Sequence, residues 1–304
     1  MTTLNVPKLR ARDKEVMNML NVAVVQLHPL ENKAANIDRA EGFIRVAAAA
    51  GARLVALPEY FSCYGRAVSP VSVAAVYGEA AETIPGPTTE RLQALAHELG
   101  IHIHGGSFFE RRGDALYNTN VIVDPAGDVL GVYRKIHLFE ARAPELTYRE
   151  ESAVTPGTEI VFTDLEVDGR STTVGQTICY DIRFPELYRV LVAEYGSEIL
   201  FVPAAFPRET GRDHWELLLR ARAVENQAFV VAPAQWGEQA DGSWLHGRSM
   251  IVDPWGTVMA TVPDGEGVAI ASLDLDRLAT YRQNYPNLQN RQPDVYSSSS
   301  KEVV

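Results

Sequence analysis

The sequence predicts a layered α/β fold, on three observations. Short apolar runs alternate with helical patterns almost from end to end, the pattern of strands and helices in separate layers. One strand–turn–strand pattern occurs twice: residues 120–135 read NVIVDPAGDVLGVYRK and residues 249–263 read SMIVDPWGTVMATVP. No long Gly-, Ser- or Pro-rich linker divides the 304 residues, so one domain is expected. In the repeated Asp-Pro-x-Gly turn, Pro and Gly stand where a tight turn wants them. Matching apolar runs on both sides predict a pseudo-symmetric fold of two related halves.

The elements follow in order. Residues 21–26 (NVAVVQ) are a β-branched run and read as a buried strand. Helical spacing covers 33–50 and stops at Gly51, a C-cap signal. The apolar run 54–57 is a second strand, ended by Pro58. Residues 88–99 read as a helix between Thr88 and Gly100. Strands are expected at 101–109, 118–123 and Val129–Arg134. In the second half, strands at 171–178, 199–202, Phe229–Ala232 and 267–273 alternate with helices at 184–195 and 212–226. The Asp253 hairpin precedes the last strand. The folded domain is expected over 19–296, after an N-terminal extension (1–18) and before a flexible low-complexity tail, SSSSKEVV (297–304).

Composition excludes several functions. With 46% hydrophobic residues the chain can build a sizeable core without staples. The net charge of −11, with no Lys/Arg cluster to offset it, repels a phosphate backbone, so no nucleic-acid partner is expected. No segment has the apolar length of a membrane span. The opening MTTLNVPKLRARDKEVMNML lacks the regions of a signal peptide. Two cysteines, Cys63 and Cys179, make no disulfide framework. A reducing cytoplasm is the expected setting.

Three segments place chemistry at strand ends. Cys179 lies in TICYDIRFPELYR, after a strand and before a helix, where ligands bind in open α/β sheets. A thiol is mostly protonated at neutral pH and needs a base or cation to attack; a buried small hydrophobe is its ordinary structural reading. Glu59 lies in LVALPEYF, the first charge after a buried strand. Desolvation there raises a carboxylate pKa and suits it to proton transfer; a solvated loop glutamate is the ordinary alternative. Lys135 lies in VYRKIHLFE among apolar neighbours. It is either a snorkelling edge residue or a cation that stabilises an oxyanion and keeps the thiolate ionised. Cys63 follows Glu59 too closely to sit on a separate elbow, although it is placed to line a pocket.

LPEYF, YRKIHLF and ICYDIRFPE resemble the three signature segments of the nitrilase (carbon–nitrogen hydrolase) superfamily. The resemblance continues through HWELLLRARAVENQAFVVAPAQ, HGRSMIVDPWG and RQPDVY, covering residue 21 to about 296. It implies an α-β-β-α sandwich that pairs into homodimers or higher homo-oligomers through helices on the active-site side, with no metal or organic cofactor. It implies Glu59 as base, Lys135 as the lysine and Cys179 as nucleophile, with Lys135 and the Tyr180 amide forming the oxyanion hole. It also implies a second glutamate, which TYREESAVTPG supplies as Glu150 or Glu151; the spacing from Tyr148 and to Pro156 favours Glu150. Glu59 or Glu150 would then activate water to hydrolyse the thioester.

RFPEL, HWELLLRARA and DPWG resemble most the branch of amidases acting on deaminated glutathione. The ω-amidases, acting on α-ketoglutaramate and related monoamides, are similar over the same segments. A nitrile hydrolase and an N-carbamoyl amidase rank lower. Arg183, four residues after the nucleophile, either clamps a substrate carboxylate or pairs with Glu186. His214 either lines the pocket or caps its helix. Phe61, Tyr64, Phe206 and Thr210 are further pocket candidates, with packing the readier explanation of each. His102 and His104 alternate along a strand, but no third ligand is spaced for a zinc. A papain-like pairing of Cys179 with His214 fits neither the fold pattern nor the LPEYF and YRKIHLF segments. A catalytically idle scaffold would be expected to lack one of the three groups, and all three are present.

Overall fold

The computed structural model describes residues 19–29, 32–64, 77–143, 146–239 and 242–296. The expected extension and tail lie outside them.

The first half runs β1 (Met19–Gln26), α1 (Lys33–Ala49), β2 (Leu54–Ala56), α2 (Pro87–Leu99), β3 (His102–His104), β4 (Phe108–Arg112), β5 (Ala115–Val123) and β6 (Val129–Arg134). A small hairpin, β7 (Glu140–Ala143) and β8 (Leu146–Arg149), leads to the second half. That half runs β9 (Phe162–Val167), β10 (Arg170–Gln176), α3 (Pro185–Ala193), β11 (Ile199–Phe201), α4 (Arg208–Asn226) and β12 (Phe229–Ala232). A side hairpin, β13 (Trp236–Glu238) and β14 (Trp244–His246), precedes β15 (Met250–Val252), β16 (Val258–Thr261), β17 (Gly267–Asp274) and the helices α5 (Leu275–Asn284) and α6 (Pro293–Tyr296).

Among the described residues two large sheets result beside the two small hairpins, ordered β17-β1-β2-β3-β5-β4 with β6 on β5, and β16-β15-β12-β11-β10-β9. The β-branched run in β1 shows why they stack. Val22 and Val24 enter the core between the sheets, where Val174, Ile199, Phe201 and Val231 come from the other side. Ala23 and Val25 point the opposite way, onto Ile37, Ile44 and Leu92 of α1 and α2. The outer face of the second sheet packs Leu187 and Leu191 of α3 and Trp215 and Leu219 of α4. A strand covered on both faces reads as a continuous apolar run. The layers are therefore α-β-β-α, as expected.

The two Asp-Pro-x-Gly hairpins share their geometry. Asp124 Oδ1 accepts from the amides of Ala126 and Asp128, and Asp253 Oδ1 accepts from those of Trp255 and Thr257. Each hairpin carries an irregularity just before its turn, at Ile122/Val123 and Ile251/Val252. Around them β1, β2 and β3 run parallel and meet β5 antiparallel, and β10, β11, β12 and β15 repeat that order. The duplication read from the sequence holds in the topology.

Some boundaries move. The strand expected at 101–109 breaks into β3 and β4 at Gly105–Gly106. Gly106 has φ +54°, and a Cβ there would collide with the Pro58 carbonyl oxygen. The break lets Ser107 donate its amide to that carbonyl at 3.2 Å and accept the Tyr60 amide on its hydroxyl at 3.0 Å. The corner thus shapes the loop that carries Glu59. Helix α4 begins at Arg208, behind Pro207, which fixes the chain for a first turn. His214 is therefore well inside the helix and caps nothing. Among the described residues no helix is long and apolar enough to cross a membrane.

Candidate active site

Glu59, Lys135 and Cys179 leave the ends of β2, β6 and β10 and meet in one pocket. Its lining includes Tyr60, Tyr64, Phe139, Glu150, Tyr180, Arg183, Phe206, Pro207 and Thr210. Glu59 is three residues past β2 and Cys179 three past β10.

Lys135 Nζ donates to Glu59 Oε1 at 2.9 Å and to Glu150 Oε2 at 2.8 Å, with all three side chains buried. Asn118 Nδ2 bridges the carboxylates, at 2.9 Å from Glu59 Oε1 and 3.2 Å from Glu150 Oε1. Glu59 Oε2 accepts the Ala205 amide at 2.8 Å. Glu150 also accepts the Phe139 amide at 2.7 Å and the Tyr60 phenol at 2.5 Å. Glu151 is exposed and pairs with Arg149, so Glu150 is the glutamate this cluster contains.

The charges follow from that arrangement. Burial alone would drive the Lys135 ammonium to give up its proton. Glu150, Glu59 and Cys179 together outweigh burial and hold its pKa well above the ordinary lysine value. Burial likewise works against ionised Glu150, but Lys135, the Phe139 amide and Tyr60 overcome it and hold the acid below the usual range. Cys179 goes the other way. Burial first, then the Glu59 carboxylate, raise the thiol well above its ordinary value, and Lys135 offsets them only in part. The balance runs against the expectation that Lys135 keeps a thiolate ionised: its charge lies between two carboxylates, and burial together with the nearby Glu59 carboxylate favours the protonated sulfur.

Cys179 sits on a tight elbow. The segment Cys179–Arg183 is a single 3-10 turn, and Cys179 has φ +46°. A left-handed non-glycine residue costs on the order of 1–3 kcal/mol and persists only where its surroundings hold it. The Cys179 amide donates to Pro203 O at 2.9 Å. Asp181, fully buried, accepts the Ile178 amide at 2.8 Å, the Tyr133 phenol at 2.7 Å, and the amide and ring Nδ1 of His137 at 3.0 and 2.8 Å. The residue before the nucleophile and residues on both sides of Lys135 are thus tied to one carboxylate. The Tyr180 amide belongs to the start of this turn, whose first N–H groups lack partners within it.

The remaining candidates divide. Tyr64, Phe206 and Thr210 line the pocket. Phe61 does not; it is buried with Leu57 and Ile37 against α1. Cys63 is buried but lies off the pocket lining. Arg183 is on the wall, its guanidinium over Phe206 at 5.3 Å and Tyr180 at 5.9 Å. It makes no ion pair with Glu186 among the described residues. Its polar neighbour is His214 Nδ1, 3.4 Å from both terminal nitrogens. His214 stands behind Arg183 rather than on the lining.

Sequence reading missed Asn118, Tyr60 and the amides of Phe139 and Ala205. Backbone donors leave no mark in a sequence. Asn118 alternates with Asn120 in the same strand, and nothing separated them until β5 placed Asn118 between the carboxylates.

Residues 21–283 match the family model for carbon–nitrogen hydrolases. The chain is 40% identical over 273 residues to the deaminated glutathione amidase of Synechocystis sp., spanning 88% of this chain and 97% of that one. It is 38% identical over 289 residues to the Homo sapiens omega-amidase NIT2, spanning 94% and 99%. It superposes on the C. elegans NitFhit protein with a TM-score of 0.82 at 30% identity, over 94% of this chain and 69% of that one.

Proposed function

The chain belongs to the carbon–nitrogen hydrolase family, and from that premise we propose that it hydrolyses the terminal carboxamide of a small carboxylate-bearing molecule such as deaminated glutathione. Amide hydrolysis is the chemistry of the family. The observation that carries the substrate class is Arg183, a guanidinium on the wall of the Cys179 pocket with no carboxylate partner among the described residues. A planar guanidinium suits bidentate carboxylate binding.

In this reading Glu59 takes the Cys179 proton as sulfur bonds to the carbonyl carbon. The carbonyl oxygen becomes an oxyanion between the Lys135 ammonium and the Tyr180 amide. The carbon–nitrogen bond breaks, Glu59 returns the proton to nitrogen, and ammonia leaves a thioester. Water then gives a proton to Glu59 and attacks the thioester. The carbon–sulfur bond breaks and the thiol is restored as the acid departs. The raised thiol pKa supports proton transfer concerted with attack over a standing thiolate.

An ω-amidase on α-ketoglutaramate or succinamate is the second reading. The human relative's name supports it, and Arg183 suits a dicarboxylate monoamide equally. Ammonia release from deaminated glutathione, α-ketoglutaramate, succinamate, N-carbamoyl amino acids and simple nitriles separates the readings. Preference for the first substrate is expected; preference for a nitrile or carbamoyl compound overturns the assignment.

The proposal extends to a cytoplasmic protein whose catalytic domain spans 19–296 and which pairs with a second copy. Exposed Leu217 and Val224 lie one heptad apart on α4, Val224 against Gly256, and support a shared apolar face. Sedimentation tests the pairing.

A further inference from the structure

Glu150 has no acceptor position left. A carboxylate offers about four lone-pair sites. Oε1 takes the Tyr60 phenol at 2.5 Å and Asn118 Nδ2 at 3.2 Å, and Oε2 takes Lys135 Nζ at 2.8 Å and the Phe139 amide at 2.7 Å. Glu59 differs. Oε1 takes Asn118 and Lys135, while Oε2 takes the Ala205 amide, which leaves one position for the Cys179 thiol. Only Glu59 can therefore carry a proton without first breaking a hydrogen bond.

Tyr60 fills the last site on Glu150 from an unfavourable backbone. Its φ is +54°, in the left-handed region that a bulky residue rarely adopts. Its amide is held by Ser107 Oγ and its ring is stacked on Phe109 at a centroid distance of 4.5 Å. The stack would be served by phenylalanine; the hydroxyl is what reaches the carboxylate.

We propose that Tyr60 is a positioning residue, whose phenol locks Glu150 and through it fixes the Lys135 ammonium where the oxyanion forms. The proposal rests on the amidase reading above and assigns Tyr60 a part in it. Without the phenol, Oε1 keeps only the longer Asn118 contact. Glu150 is then free to turn about its end or to accept water, and Lys135 loses its fixed direction.

The test is ammonia release from deaminated glutathione by wild type, Tyr60→Phe, Glu150→Gln, the double variant, Phe109→Leu and Cys179→Ala, each checked for folding by circular dichroism. A hydrogen bond to a charged group is worth roughly 10- to 100-fold. Tyr60→Phe is expected to lower kcat by about that factor with KM within about twofold. In the Glu150→Gln background the same change is expected to add less than about twofold, because both act on one group. Phe109→Leu, which disturbs the stack alone, is expected to lower the melting temperature and keep kcat. Wild-type kcat in Tyr60→Phe, full additivity in the double variant, or equal kcat losses in Tyr60→Phe and Phe109→Leu overturns the positioning role and leaves the amidase reading intact. Release that survives Cys179→Ala overturns both.

Discussion

The Lys135 ammonium donates to Glu59 Oε1 at 2.9 Å, and each side chain is only 2% exposed. With Glu150 added, a buried cation is held between two buried carboxylates. Removing the cation leaves two like charges facing each other out of water. Lys135→Ala is therefore expected to lose ammonia release and to destabilise the fold by about 3–5 kcal/mol, the range for breaking a buried pair. Urea unfolding at pH 7 reads the second effect; an unchanged midpoint would contradict it.

The cluster also sets a pH window. The folded pKa of Glu150 lies below its ordinary value, so its stabilisation is complete above about pH 4.3 and lost as pH falls through the folded value. That of Lys135 lies above its ordinary value, so its stabilisation is complete below about pH 10.4 and lost as pH rises through the folded value. His104 is different. Burial, with its ring stacked on Phe201, lowers its pKa to about 3. The unfolded chain takes up this proton below about pH 6.5, so stability falls as pH drops from there towards the folded value. Unfolding free energies at pH 7 and pH 5 are expected to differ less in His104→Leu than in wild type. Equal differences would remove His104 as the cause.

Asp181 couples the nucleophile turn to the lysine loop through four donors. Asp181→Asn turns one oxygen into a donor facing donors. It is expected to lower kcat at least about 10-fold with little change in KM, because the elbow and the ammonium lose their common anchor. A change confined to KM would place Asp181 in substrate binding instead.

Arg183 predicts a split by substrate charge. Arg183→Gln is expected to raise KM for deaminated glutathione about 10- to 100-fold and to leave a neutral amide such as propionamide nearly unchanged. Equal losses on both would show that Arg183 braces the turn rather than binds carboxylate.

Much of this was legible in the sequence, for identifiable reasons. The strands β1, β2 and β12 are buried on both faces, so their apolar runs are continuous and easily read. The Asp-Pro-x-Gly repeat exposed the duplication because turn chemistry is local. Glu59, Lys135 and Cys179 were visible as polar residues at the ends of such runs. The short hairpins β7–β8 and β13–β14 were not, since their strands are only four and three residues long, too short for a readable pattern. Phe61 was misplaced because left-handed Tyr60 turns the chain, sending Tyr60 to the pocket and Phe61 into the core. Spacing favours Glu150 over Glu151, and burial separates the two: Glu150 is buried and Glu151 exposed.

The central claim is that Cys179 carries the acyl group. The most direct measurement is ammonia release from deaminated glutathione and α-ketoglutaramate by wild type, Cys179→Ala and Cys63→Ser, all shown to be folded. The account predicts turnover in wild type and Cys63→Ser and none in Cys179→Ala. Turnover that survives in Cys179→Ala, or is lost equally in Cys63→Ser, would contradict it.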